Sequence, residues 1–460
     1  MTAAQHGSRR RFLAGLATAS GIAVAGCADL PWEDEGASTG FSRSDAEEIL
    51  ADSEPAVPDV VRPVPVEPAA KALDAQRTRV DDLLSDVPDA IPADDVPNGV
   101  VRESIADRRD SAIEYRDEAA DASGADRYHA LRTLGRARKS ARASATTLAA
   151  IEAETEALLA ELSDERTAVE SAVDDRCDGI AYRGEDGDDG RLRAALFFAE
   201  LERDLQRASH RVGRWSVDDT ATVIDLGGAA GDLEFATATT AIWDHCTDRY
   251  AADTGDRVDL EPVFADALET SADRAGAVDL PDQDGDDWLS TLVDGEVDTG
   301  FDQTVLWEAV RPVYDARDGL RDADGIDSTG RNLANGLRDA LRFEQEYRAF
   351  ERVRDRFEAG ELARPDSIDP IGSERTAAIS AAESAAEELT RPSLGTDRLT
   401  ETIRTLSWTD DKIRRKADGD PGVVVSLAGE FGEYVCLRAR FEVLPEAVDA
   451  FRGRLLDPEP

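Results

Sequence analysis

Residues 126–182, DRYHALRTLGRARKSARASATTLAAIEAETEALLAELSDERTAVESAVDDRCDGIAY, decide the fold class of this chain. Apolar and small residues recur in alternating steps of three and four from Ala141 to Ile180, and charged residues occupy the opposite face. This spacing is typical of an amphipathic helix that packs along a neighbour in a coiled coil or a bundle. The stretch predicts one long helix from Asp126 to about Tyr182, whose partner can come from the same chain.

The same helical period continues on both sides of this stretch. Leu73, Val80 and Leu83 share one face of an earlier helix. A later helix carries a stripe of mainly large apolar residues: Leu333, Gly336, Ala340, Phe343, Tyr347, Phe350 and Phe357. Such a stripe could line a ligand groove, but at this spacing it favours a buried core. We therefore expect an all-α protein of ten or more helices, packed as two bundles.

Changes in composition divide the chain into four predicted parts. Residues 1–26 form a signal peptide, and residues 27–69 form an anchored tether in which closely spaced prolines favour extended backbone. Residues 70–217 form a first bundle that contains the long helix, and residues 218–460 form a second bundle.

The N-terminal residues 8–27, SRRRFLAGLATASGIAVAGC, read as an export signal because cationic residues precede a short apolar run and small residues. Arg9, Arg10, Phe12 and Leu13 lie in a segment that resembles the core of twin-arginine export signals. The segment that ends at Cys27 resembles a lipobox. The resemblance implies that the chain crosses the membrane folded and carries a lipid on Cys27.

This lipid would anchor the protein to the outer face of the cell membrane. A diacyl or diether lipid would hold it more firmly than one acyl chain, which gives only marginal binding. The alternative is a signal that is cut without lipidation, with Cys27 an incidental thiol.

The charge balance is strongly acidic, with 98 Asp and Glu against 53 Lys and Arg and a formal net charge of −45. Only four of the basic residues are lysines. Acid-rich, lysine-poor chains resemble the proteins of salt-loving archaea, whose surface repulsion is screened in molar salt. The balance argues against nucleic-acid binding, which needs a cationic surface. An acidic chain that collects divalent cations or a basic protein is the rival interpretation.

One glycine-rich stretch invites a cofactor hypothesis. Thr222–Gly231, TVIDLGGAAG, resembles the strand and turn that hold S-adenosylmethionine in Rossmann-type methyltransferases. That fold requires further strands, and the sequence downstream keeps a helical period. We therefore interpret the stretch as a turn of small residues between two helices, and we predict no cofactor.

The many acidic residues form no pattern that identifies a catalytic or metal-binding motif. The acidic loops depart from the calcium-binding pattern, and His245 and Cys246, adjacent on a helix, point about 100° apart. Cys177, Cys246 and Cys436 follow the lipid site, and we expect buried thiols, with one disulfide as the alternative. The sequence thus predicts no catalytic or metal-ligating residue.

One basic cluster remains, formed by Lys412, Arg414, Arg415 and Lys416 near the end of a helix. Cations at a helix C-terminus are favoured by the helix dipole, and this explains the cluster without a ligand. The sharper hypothesis is a contact with anionic lipid headgroups.

Three functions fit these observations. The leading one is a non-enzymatic surface protein that binds or scaffolds an unknown protein partner. The second is an extracellular binding protein that passes a small ligand or metal to a membrane transporter. The third is a carboxylate-dependent hydrolase, because the many acids supply many pairs.

Overall fold

The computed structural model describes residues 40–51, 56–218, 220–283, 288–297, 300–324, 332–419 and 424–456. The prediction of an all-α protein is confirmed by thirteen α-helices within these ranges, together with one short two-stranded sheet. The elements are α1 (Arg43–Ala51), α2 (Ala70–Leu84), α3 (Gly99–Glu118), α4 (Asp126–Ala149), α5 (Thr155–Asp178), β1 (Arg183–Glu185), α6 (Asp188–Gly213), α7 (Val223–Asp253), β2 (Arg257–Asp259), α8 (Glu261–Ala277), α9 (Gly300–Asp324), α10 (Leu333–Glu358), α11 (Asp369–Glu388), α12 (Leu394–Ala417) and α13 (Ala428–Leu456).

The helices pack as two bundles that share a continuous apolar core. In the first, α4 lies at the centre against α2, α3 and α7, and α5 covers α6 and α7. In the second, α10 packs against α8, α9 and α13, and α13 also contacts α11 and α12. Helix α6 contacts α10, and the core therefore continues from Phe197 on α6 to Phe343 and Phe350 on α10. The aromatic stripe of α10 is thus core, as predicted.

The stretch predicted as one long helix is two helices, so this prediction is wrong. Helix α4 ends at Ala149, and α5 begins at Thr155. A single helix over residues 126–182 would rise about 85 Å, at about 1.5 Å per residue, far beyond the reach of its neighbours. The chain instead turns back and buries Leu162 against α6 and α7. Helical periodicity does not reveal such a turn because its residues are themselves good helix formers.

The glycine-rich stretch 222–231 is neither a nucleotide-binding turn nor a turn between helices. Thr222 caps α7 and forms a capping box with Asp225, so the glycines lie inside the first turns of that helix. A Cβ on Gly227 would overlap the Thr147 hydroxyl, and a Cβ on Gly231 would lie 2.8 Å from a carbonyl oxygen of α4. The small residues therefore allow α7 to approach α4 closely.

The segment of residues 56–69, which we call the N-terminal strap, lies against the body. The sequence predicts an extended spacer here, and the strap has no helix or strand, but Val66 is buried. The main-chain N–H of Ala69 donates to His245 Nε2 at 3.1 Å, and Arg193 Nε donates to the carbonyl of Pro65 at 2.9 Å. Contacts with α6 and α7 thus hold the strap.

Residues 40–51, which precede the strap, contact the second bundle. Helix α1 packs against α11 and α12, and Phe41 pairs with Val425 through two main-chain hydrogen bonds of 2.9 and 3.0 Å. The N-terminal part of the described chain therefore spans both bundles.

Candidate functional site

A buried carboxylate on α6 gathers four arginines from different parts of the fold. Glu200 accepts hydrogen bonds from Arg62 of the strap at 3.1 Å and from Arg338 of α10 at 2.7 Å. Arg132 of α4 and Arg203 of α6 also pair with it. Burial alone would raise the pKa of Glu200, but the four guanidinium groups outweigh burial and hold the pKa well below its usual range.

Two aspartates extend this network on either side. Asp397 of α12 pairs with Arg62 and with Arg338, both at 3.0 Å. Asp204 of α6 accepts a hydrogen bond from Arg132 Nε at 2.7 Å. The network thus joins the strap to both bundles, and the charges of Arg62 and Arg132 are already balanced by carboxylates.

A cleft of about 320 Å³ opens over the outer edge of this network, and we call it the arginine cleft. Its charged lining consists of five arginines and one aspartate: Arg62, Arg132, Arg136, Arg207, Arg404 and Asp204. The rest of the lining is Gly135, Thr133, Thr239, His129, Phe235, Ile242 and Trp243. The side chains come from the strap and from α4, α6, α7 and α12, so the cleft lies where both bundles meet.

The excess of arginines is unusual for this chain. The cleft beside Trp215 is lined by three arginines and three aspartates, and so is the cleft beside Tyr250. Arg62 and Arg132 are paired with carboxylates. The excess positive charge of the cleft therefore comes from Arg136, Arg207 and Arg404, in a protein with nearly twice as many acids as bases. Clefts with low-dielectric walls concentrate the potential of such charges.

Three of the cleft arginines are exposed and have few carboxylate partners. Arg136 and Arg404 make no ion pair with any described residue, and Arg207 lies 3.6 Å from Asp204. Their guanidinium groups come from three different helices and are available to a ligand. Planar guanidinium groups bind carboxylate, sulfate and phosphate through paired hydrogen bonds, so the arrangement suits an anion.

His129 links the cleft to the strap. Its Nε2 lies 3.4 Å from the carbonyl oxygen of Arg62, and burial lowers the pKa of His129 below its usual value. The ring is therefore neutral near neutral pH and can donate this hydrogen bond from Nε2.

The predicted basic cluster lies on the last turns of α12, and most of it is paired. Lys412 contacts Glu433, Arg414 contacts Asp411, and Lys416 lies 2.5 Å from Glu430. Arg415 is exposed and has no ion pair among the described residues. The headgroup contact stays a prediction that is carried mainly by Arg415.

The remaining predicted residues divide between the body and the N-terminus. Cys246 and Cys436 are buried thiols, and burial raises the pKa of each to about 12; Cys177 is half-buried on α5. Arg9, Arg10, Phe12, Leu13 and Cys27 lie outside the described residues.

Within the described ranges, no three His, Cys, Asp or Glu side chains are grouped so that they could hold a metal ion. The helices described also include none that is both long and apolar enough to span a membrane.

Two matched domains cover most of the chain. Residues 71–256 match a domain of unknown function (DUF8262), and residues 261–453 match a second domain of unknown function (DUF8264). The gap between the two matches, residues 257–260, contains β2, whereas the boundary predicted from the sequence lies between residues 217 and 218. No curated protein matches the chain, and no solved structure matches it. The chain is thus similar to two uncharacterised domains in tandem, and its arginine cleft is lined from both.

Proposed function

We propose that the protein is an exported, lipid-anchored, non-enzymatic binding protein of the cell surface, and that its arginine cleft binds a small anionic ligand. The observation that carries the proposal is that Arg136, Arg207 and Arg404, from three helices, line one cleft in which Asp204 is the one carboxylate among the described lining residues. In a chain of net charge −45, such a site attracts an anion that the rest of the surface repels.

Calorimetry on the full chain tests the binding. Inorganic phosphate and sulfate are titrated into the protein in about 1 M KCl, where surface charges are screened. We expect at least one of them to bind, and the double variant Arg136→Gln/Arg404→Gln to weaken that binding at least tenfold. The control is Arg415→Gln, which removes another exposed arginine of α12 outside the cleft. Equal binding by the double variant and the control would place the anion elsewhere.

The anchor is a separate part of the proposal and rests on the residues around Cys27. Mass spectrometry of the N-terminal peptide from native membranes should show a lipid on this cysteine, and Cys27→Ser should release the protein from the membrane fraction. An unmodified thiol on the membrane-bound protein would contradict it.

The transporter-linked function is the second candidate, and the cleft between the bundles is the observation that favours it. A protein that delivers a ligand needs a site of its own, which a scaffold does not. The hydrolase alternative has less support, because Asp204 is the one carboxylate among the described residues that line the cleft, and it is paired with Arg132.

A further inference from the structure

Exposure divides the lining of the arginine cleft into an outer and an inner part. Arg136, Arg207 and Arg404 are exposed, whereas Ile242 and Trp243 are buried, with exposed fractions of 6% and 2%. Phe235 is half-buried. The cleft therefore has a cationic mouth, and Phe235, Ile242 and Trp243 form an apolar part of its lining, which we call the inner wall.

The inner wall is held in place by its own contacts. Trp243 Nε1 donates to Asp204 at 3.2 Å, and its ring packs edge-on against Phe197 at 5.5 Å between centroids. The guanidinium of Arg211 lies over the ring of Phe235, 4.8 Å from its centroid. A preorganised apolar wall of this kind favours an apolar group without the entropic cost of ordering side chains.

The inner arginines offer little to an anion. Arg62 is paired with Glu200 and Asp397, and Arg132 is paired with Glu200 and Asp204. A negative group placed beside them would also meet these carboxylates. The anionic group is therefore best placed at the mouth, and the body of the ligand lies along the inner wall.

From this arrangement we infer that the ligand is a small organic anion, in which one phosphate, sulfate or carboxylate group is joined to a compact aromatic or aliphatic body. This inference rests on the proposed function and names the ligand class. The volume of about 320 Å³ lies at the lower end of ligand pockets, which span about 300–1,000 Å³, and so suits a compact ligand.

Three probes separate the two ends of the ligand: inorganic phosphate, phenyl phosphate and phenol. Each is titrated into the full chain at one pH and in about 1 M KCl. We expect phenyl phosphate to bind at least tenfold more tightly than either of the other two. Arg404→Gln should weaken the binding of phosphate and of phenyl phosphate by a similar factor. Phe235→Leu should weaken the binding of phenyl phosphate several-fold and leave the affinity for phosphate unchanged.

Ile242→Val is a second change to the inner wall that keeps its apolar character. Like Phe235→Leu, it should weaken the binding of phenyl phosphate and leave the affinity for phosphate unchanged. Equal affinity for phosphate and phenyl phosphate, with no effect of either wall variant, would overturn the inferred ligand class and leave anion binding intact. Failure of phosphate, sulfate and phenyl phosphate alike to bind would instead overturn the proposed function. Circular dichroism confirms that each variant is folded.

Discussion

The carboxylate of Glu202 on α6 caps the start of α10, where it accepts a hydrogen bond of 2.6 Å from the main-chain N–H of Asn335. It also accepts hydrogen bonds from the N–H of Ala334 at 3.1 Å and from the hydroxyl of Tyr182. One side chain thereby satisfies donors at the N-terminus of a helix in the other bundle.

Glu202 should make the stability of the protein depend on pH. Burial raises its pKa to about 7, although its hydrogen bonds act to lower the pKa. The folded protein therefore keeps this proton to higher pH than the unfolded chain does. The stabilisation is complete below the ordinary pKa of a glutamate and is lost as the pH rises towards 7.

We predict a loss on the order of 3 kcal/mol in the free energy of unfolding between about pH 4.5 and pH 7 from this group. Glu202→Gln resembles the protonated form, so the variant should lack this part of the pH dependence. Thermal unfolding of both proteins across this range measures the difference. Identical pH profiles would contradict the prediction.

Glu200→Gln should destabilise the protein strongly. The substitution removes the charge that four arginines share, and breaking a buried ion pair costs about 3–5 kcal/mol. Denaturant unfolding measures the change. Glu387→Gln, an exposed glutamate of α11, is the matched control and should change the free energy of unfolding by less than about 0.5 kcal/mol. A similar, small effect of both substitutions would show that the network is not coupled to folding.

Gly227→Ala should lower the free energy of unfolding by about 1–3 kcal/mol, because the new methyl group would meet the Thr147 hydroxyl and lie 2.6 Å from the carbonyl oxygen of Ala143. The adjacent Gly228→Ala is the control, since its Cβ would approach only Arg108, at 3.8 Å. That change should stabilise α7 by up to about 1 kcal/mol through helix propensity. The unfolding temperature should therefore fall for Gly227→Ala and rise for Gly228→Ala. A change in the same direction for both variants would refute close packing of α7 on α4.

Protonation of His245 should loosen the strap. Its Nε2 accepts the N–H of Ala69, and burial, together with Lys71 and Arg249, lowers the pKa of His245. As the pH falls below the lowered pKa of His245, the ring gains a proton and the acceptor is lost. Hydrogen exchange, corrected for intrinsic rates, should rise in residues 56–69 and not in α10. The variant His245→Phe should show fast exchange of the strap at every pH.

The unfolding temperature should rise with salt. The net charge of −45 makes the surface repel itself, and the Debye length falls from about 10 Å in 0.1 M salt to about 3 Å in 1 M salt. Circular dichroism should show helicity in molar KCl and partial loss of it in dilute buffer. Full helicity and an unchanged midpoint in dilute buffer would remove the support for the salt-adapted interpretation.

The helical period predicted much of the fold. The faces marked by Leu73 and Val80 on α2 and by Phe343 and Phe350 on α10 are buried as expected, because periodicity records which side of a helix is apolar. It did not reveal the turn between α4 and α5, since no glycine or proline marks that turn. The docking of the strap was missed for a related reason: prolines indicate extended backbone and do not tell whether it packs against the body.

The arginine cleft could not be read from the sequence. Arg62, Arg132, Arg207 and Arg404 lie far apart along the chain and belong to four elements. Arg62 belongs to the strap, and each of the other three is one arginine among many in a helix with mixed charge. Only the packing of both bundles places them together, and the local signal, Arg132 and Arg136 one helical turn apart on α4, is common on charged helices.

The contact of Phe41 and helix α1 with the second bundle also limits the clearance between the body and a membrane. With the lipid proposed at Cys27, the chain from there to Gly40 can reach at most roughly 45 Å, at about 3.5 Å per residue. This distance is close to the thickness of one bilayer with its headgroups, about 40–45 Å. Gly40 would then stay within roughly 45 Å of the membrane surface, and the body would meet its ligand close to that surface.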